Sequence, residues 1–175
     1  MLLELALPGG AYVYQGDELG LEEVEDLPED VLQDPTWKRS GVRGRDGCRV
    51  PIPWSGAEPP FGFGSVEHPP WLPQPAHWAD LTVAAQDTRP ASMLNLYRTA
   101  LAERRRNSAL GDGTLTWDDD APQGVLSFTR EPGFRCVVNF GPGSFEIPDG
   151  AEVLVSSGLS SPRSVGIDEA VWLRV

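Results

Sequence analysis

The chain opens on an apolar run of Leu2, Leu3, Leu5, Ala6 and Leu7, broken only by Glu4 and ended by Pro8-Gly9-Gly10. A run this uniformly apolar predicts the end of a buried helix followed by a turn. Ala11-Tyr12-Val13-Tyr14, with its β-branched and aromatic content, predicts a short strand that closes at Gly16. From Asp17 to about Thr88 periodicity is lost and polarity changes in blocks: acidic from Glu22 to Asp30, basic from Lys38 to Arg49, then rich in proline and aromatics. A connection of this length is functional or carries short elements of its own. Asp26-Leu27-Pro28-Glu29 offers a cap and an early proline for one short helix.

Helical spacing returns between residues 91 and 106, where Met93, Leu94, Leu96, Tyr97, Ala100 and Leu101 make one apolar face. Arg104, Arg105 and Arg106 at its end complement a helix C-terminus, with an anion site as the weaker alternative. After Gly111 the pattern becomes that of short strands, at residues 115–117, 125–130, 135–140, 144–147, 152–156 and 170–175. Pro132-Gly133, Pro142-Gly143 and Asp149-Gly150 stand at the joints, as turn chemistry requires. This part reads as a small antiparallel β-sandwich, and no internal repeat is evident.

Composition narrows the picture. At 175 residues the chain suffices for one domain, or a small domain plus part of another, and is short of the roughly 250 residues of a complete (β/α)₈ barrel. The net charge of −12, from 26 acidic and 14 basic residues spread along the chain, disfavours nucleic acid and anionic membrane as partners. The 19 Gly and 17 Pro point to a loop-rich chain, while six Trp argue against simple disorder. The N-terminal run has no basic leader, so it reads as neither signal peptide nor membrane span, and it looks like the inside of a domain.

Candidate chemistry is sparse. Cys48 and Cys136 lie far apart without metal-ligand spacing, so no metal and no cofactor is implied, and reduced thiols fit a cytoplasmic protein. Cys48 is weakly supported as a nucleophile, since no His stands nearby in sequence. His68 and His77, each amid prolines, read as loop residues with no carboxylate arrangement beside them.

The segment Pro8-Gly9-Gly10-Ala11-Tyr12-Val13-Tyr14-Gln15-Gly16-Asp17-Glu18-Leu19-Gly20-Leu21 resembles the helix-7 to strand-8 passage of the α-amylase superfamily, glycoside hydrolase family 13. Arg45-Asp46-Gly47-Cys48-Arg49-Val50-Pro51-Ile52-Pro53-Trp54 is similar to the R-D-x-x-R-x-P loop of its oligo-1,6-glucosidase and α-glucosidase subgroup. The second string is much the more specific. Gly62-Phe63, Trp71-Leu72-Pro73, Val83, Gln86, the Ser92 to Arg98 helix, Asn139-Phe140 and Trp172-Leu173 follow in the family's order. Gly10, Ala11 and Asp17 depart from the usual Thr or Ala, Pro and Glu.

The resemblance implies an α+β chain: the C-terminal end of a (β/α)₈ TIM barrel (strand 8, long loop, helix 8) over residues 1–110, then a small antiparallel β-sandwich domain over 111–175. It implies the C-terminal part of a retaining α-glucosidase, acting on short α-glucosides, with the catalytic Asp, Glu and Asp upstream of Met1 and no activity in this chain alone. An α-glucoside is then the partner of the full-length enzyme, and an upstream barrel half is a further possible partner. The rival readings are a non-catalytic carbohydrate-binding or interaction module and a complement to a separately encoded barrel half.

Arg45 is the one substrate-binding residue the resemblance carries over, matching the loop arginine that holds hydroxyls of the non-reducing glucose. The alternative is an arginine that pairs with Asp46 or Glu22 to brace the loop. Asp46 and Arg49 are expected to fold the loop. Asp17 and Glu18, side by side on what reads as an extended chain, point to opposite sides and could not flank one bond, so a structural role is expected. Trp54, Trp71, Trp78, Phe61 and Phe63 could stack on sugar, though most are expected to fill small cores under loops. Finally, without barrel neighbours, residues 1 to 60 are expected to be poorly supported, with order confined to residues 111–175 and the preceding helix.

Overall fold

The computed structural model describes residues 1–65, 67–158, 161 and 163–175. Among these are the helices α1 (Leu2–Ala6), α2 (Pro35–Ser40), α3 (Val83–Asp87) and α4 (Met93–Arg106). The strands are β1 (Leu115–Trp117), β2 (Val125–Arg130), β3 (Phe134–Asn139), β4 (Phe145–Glu146), β5 (Glu152–Ser156), β6 (Ser164–Val165) and β7 (Glu169–Arg174). Contacts gather the chain into two compact units, residues 1–12 with 96–175, and residues 13–95. This is a different division from the family domains expected to part at residue 110, because α1 and most of α4 bury their apolar faces against strands that lie beyond it.

The first unit is an antiparallel sheet in the order β1-β2-β3-β7-β5, with β4 and β6 paired in a separate ribbon. Phe128 on β2 faces Cys136 on β3, which faces Trp172 on β7. Alternation along the strands sends Phe134, Cys136, Val138 and Trp172 to one face, where Leu2, Leu5, Ala6 and Ala100 pack on them. Val137, Val171 and Leu173 take the other face, with Val165 of β6 and, partly buried, Phe145 of β4 against them. Each such side chain removed from water contributes about 1.5–3 kcal/mol. The expected strands form, most of them within one residue; β6, at two residues, is too short to show any alternation in sequence.

Two arginines bind α1 into this unit. Arg104 donates to the carbonyls of Leu5, Leu7 (3.3 Å) and Gly9 (2.7 Å). Arg130 is fully buried and donates to the carbonyls of Ala6, Leu110, Gly111 and Gly113. Arg106 pairs with buried Glu103. Arg104 and Arg106 therefore act as donors to carbonyls and a carboxylate, and Arg104 serves the C-terminus of α1 rather than that of its own helix.

The second unit has a separate core of Val24, Leu27, Leu32, Val50, Phe61, Leu72 and Trp78. Asp34 caps α2 by accepting from the Thr36 amide, with Pro35 in the first turn, and Thr82 caps α3 through the Ala85 amide. The helix expected around Pro28 is reduced to a 3₁₀ turn at Glu29–Val31. Buried Gln86 holds this unit's ends: its Nε2 donates to the Leu19 carbonyl at 2.8 Å, and its Oε1 accepts from the Leu94 amide at 3.0 Å.

Three expectations need correction. Residues 11–14 form no strand; the Tyr12 and Tyr14 amides instead donate to the carboxylates of Glu4 and Asp17. A β-rich sequence makes a strand only where a second chain segment completes its ladder. Residues 1 to 60 are well supported elsewhere: Leu2, Leu5 and Ala6 are core residues of one unit and Val24, Leu27 and Val50 of the other. Asp17 and Glu18 do not lie on an extended chain, since Asp17–Leu19 is a 3₁₀ turn between two left-handed glycines, Gly16 and Gly20.

Candidate functional site

The loop carrying Arg45 is built by two buried carboxylates, each accepting backbone amides from the segment that carries the other. The Asp46 carboxylate accepts from the amides of Gln33 (2.7 Å) and Asp34 (2.8 Å). The Asp34 carboxylate in turn accepts from the Arg45 amide (3.2 Å) and the Thr36 amide (2.8 Å). Arg49 bridges both, at 3.1 Å from Asp34 and 3.2 Å from Asp46. Amide hydrogen bonds from Thr36 and Arg45, with the Thr36 side chain and Arg49 adding to them against burial, hold the Asp34 carboxyl down at about 2. Asp46 and Arg49 thus fold the loop, as the sequence led us to expect. Asp34 was not singled out there, although Asp34-Pro35 is a helix-start signal.

Glycine is required within this clasp. A Cβ on Gly44 would lie 2.2 Å from the Asp34 Cγ, and one on Gly47 would lie 2.5 Å from the Val24 carbonyl oxygen. The close approach of backbone to carboxylate is what lets the loop fold back on residues 33 and 34.

Arg45 itself is exposed. It pairs with neither Asp46 nor Glu22, and its guanidinium has no hydrogen-bond partner among the described residues, whereas its carbonyl accepts from the Cys48 thiol at 3.1 Å. A guanidinium offers five donors in a plane, so the loop presents an unspent hydroxyl- and carboxylate-binding group.

Glu22 is engaged elsewhere. Its Oε1 lies 2.6 Å from His77 Nε2 and accepts from Trp78 Nε1 at 2.8 Å. Burial opposes ionisation here, but these hydrogen bonds outweigh it and hold the carboxyl below its ordinary range. His77 therefore does have a carboxylate beside it, from a residue 55 positions away, which no local reading could find. An open cavity of about 730 Å³ lies here, lined by Glu22, Glu25, Asp26, Gln74 and His77 among others.

The remaining candidates divide by burial. Trp78 and Phe61 are core residues, while Trp54, Trp71 and Phe63 are about half exposed, so the aromatic set splits between packing and surface. Trp71 is tethered by its indole to the Val31 carbonyl at 2.9 Å. Asp17 accepts from the Tyr14 amide and Glu18 from the Gly16 amide, which gives both the structural role expected. Both cysteines are free thiols, Cys136 fully buried with burial pushing it up to about 12. Cys48 is partly exposed, and its thiol lies 3.9 Å from the Tyr14 hydroxyl. Among the described residues no group of His, Cys, Asp and Glu is placed to hold a metal ion. No described helix is long and apolar enough to cross a membrane.

Comparison with known proteins adds to this geometry. Residues 1–113 match the family model described as alpha amylase, catalytic domain. A probable alpha-glucosidase of Rhizobium meliloti is 40% identical over 135 residues, covering 75% of this chain and 23% of the relative. An oligo-1,6-glucosidase of Parageobacillus thermoglucosidasius is 25% identical over 171 residues, covering 82% and 29%. The crystal structure of an alpha-glucosyl transfer enzyme superposes with a TM-score of 0.78 at 31% identity, over 99% of this chain and 34% of that one. The chain spans about a quarter of the length of the curated relatives it matches.

Proposed function

The chain belongs to the α-amylase family, and from that premise we propose that it is the C-terminal part of a retaining α-glucosidase acting on short α-glucosides. Residues 1–110 are the end of the catalytic barrel and 111–175 its C-terminal β-domain, a division supported by the family match ending at residue 113. Retaining hydrolysis needs two carboxylates of opposite protonation across the glycosidic bond. Asp17, Glu18, Asp34 and Asp46 are engaged in folding loops and turns, and in this reading the catalytic carboxylates belong to the three-quarters of the relatives' length that this chain does not cover. Arg45 contributes the substrate contact, donating to hydroxyls of the non-reducing glucose. Two free thiols are in keeping with a cytoplasmic setting.

The observation that carries this reading is the family match over residues 1–113 by a chain a quarter of its relatives' length. The test is an aryl α-glucoside assay of the chain by itself and after co-expression with the preceding three-quarters of the Rhizobium meliloti relative. No turnover above blank is expected from the chain, and turnover is expected from the pair. Turnover by the chain itself would overturn the proposal.

A second reading is a complement to a separately encoded barrel half. The exposure of Tyr12 (89%) and Tyr14 (51%), aromatic residues on a segment without a strand partner, favours it. The same co-expression measures it, with the two halves purifying together on a tag carried by one of them.

A further inference from the structure

We infer that Asp34 is the positioning residue for Arg45, fixing its backbone so that the guanidinium is presented to a sugar hydroxyl; the inference rests on the substrate contact proposed above for Arg45. Both backbone groups of Arg45 are held. Its amide donates to Asp34 Oδ2 at 3.2 Å, and its carbonyl accepts from Cys48 Sγ at 3.1 Å. Its side chain is left exposed and unpartnered among the described residues. A residue pinned at the main chain and free at its charged end loses little backbone freedom on binding a ligand.

The clasp is specific to Asp34 rather than a general property of the loop. Asp46 accepts from the amides of Gln33 and Asp34, and Arg49 donates to the Asp34 and Asp46 carboxylates; among the described residues only the Asp34 carboxylate touches the Arg45 amide. Arg49, at 3.1 Å, fixes the orientation in which Asp34 Oδ2 faces that amide. The steric fit of Gly44 against the Asp34 Cγ, with 2.2 Å left for any Cβ, places residue 45 next to the carboxylate without slack. An ionised carboxylate accepting an amide forms a charge-assisted bond, so replacing it with the isosteric amide keeps the shape and weakens the hold.

The test uses the ¹⁵N-labelled chain and its Asp34→Asn variant, with maltose as the probe sugar. In the wild type the Arg45 amide shift is expected to follow the acid titration of Asp34, a signature that Asp34→Asn abolishes. The variant is also expected to raise the hydrogen-exchange rate of that amide about tenfold. Maltose is expected to perturb Arg45 in the wild type, with affinity about tenfold weaker in Asp34→Asn. An Arg45 amide whose shift ignores the Asp34 titration, and whose exchange is unchanged in the variant, overturns the positioning role. An Arg45 that responds to Asp34 but not to maltose overturns the sugar contact and leaves the positioning intact, so the two failures are separable. Should Asp34→Asn not fold, the wild-type titration decides by itself.

Discussion

The indole of Trp172 donates to the carbonyl of Leu2 at 3.1 Å, joining the last strand to the first helix across 170 residues. Around that bond Leu5 and Ala6 pack beneath Phe134 and Trp172, whose rings meet edge to face at 5.6 Å. The N-terminal run is therefore part of the β-domain's core. Leu5→Ala is expected to destabilise the first unit by about 2–5 kcal/mol through the cavity it leaves. Denaturant unfolding followed at the Trp172 indole measures it, and an unchanged midpoint would show that α1 does not support the sheet.

Arg130 is the largest buried polar group of the same unit and has only carbonyl partners among the described residues. Burial depresses its basicity, with Arg104 nearby adding to the effect and Asp112 opposing it. Arg130→Met strands the buried carbonyls of Ala6 and Leu110 together with those of Gly111 and Gly113 and is expected to cost about 3 kcal/mol or more. Arg130→Lys is expected to recover less than half of that, because one ammonium cannot reach the carbonyls a planar fork reaches. Thermal unfolding of the two variants side by side reads the difference.

In the Arg45 loop, the packing of Gly44 against Asp34 makes Gly44→Ala destabilising by about 1–3 kcal/mol. Arg45→Ala, removing an exposed side chain without a partner, is expected to stay within about 0.5 kcal/mol of the wild type. Equal effects from the two would contradict the division of labour between a folded clasp and a presented arginine.

Acid should act on the second unit through Asp34. Its carboxyl titrates at about 2 in the fold against an ordinary value of 3.8. The unfolded chain therefore binds the proton more tightly, and the stabilisation is complete above the ordinary value and lost as pH falls through about 2. Glu22, also depressed, adds a loss of the same sign. Stability measured between pH 5 and 2 is expected to fall less steeply in Asp34→Asn than in the wild type.

The two thiols differ by burial. Cys136, fully buried and pushed up to about 12, is expected to resist a maleimide until the chain unfolds, whereas Cys48, partly exposed, reacts in the native state. Mass spectrometry of labelled native protein should show one adduct, and two after denaturation. Two adducts in the native state would place Cys136 outside the core.

What could be read from the sequence was what local chemistry dictates. Short runs such as 125–130 and 135–140, with Pro132-Gly133 and Pro142-Gly143 at the joints, predicted the strands, helical spacing from Met93 to Leu101 predicted α4, and the Arg45 to Trp54 string pointed to the family. Those patterns depend on neighbours within a few residues, and hydrophobic periodicity carries them. The long middle segment was opaque because its elements are single turns fixed by caps, such as Asp34 over Thr36, and by glycines that fit only against a distant carboxylate.

Tertiary structure decided the pairings. That Glu22 meets His77, that Arg104 serves the carbonyls of α1, and that Asp34 holds the amide of Arg45 while Arg49 takes both carboxylates are relations between residues brought together by packing. It also decided that residues 11–14, strand-like in composition, form no strand, since a ladder is a property of two segments and not of one. Sequence fixes which groups need a partner; the folded chain alone determines which partner comes within hydrogen-bonding distance, because burial penalises a polar group left without one.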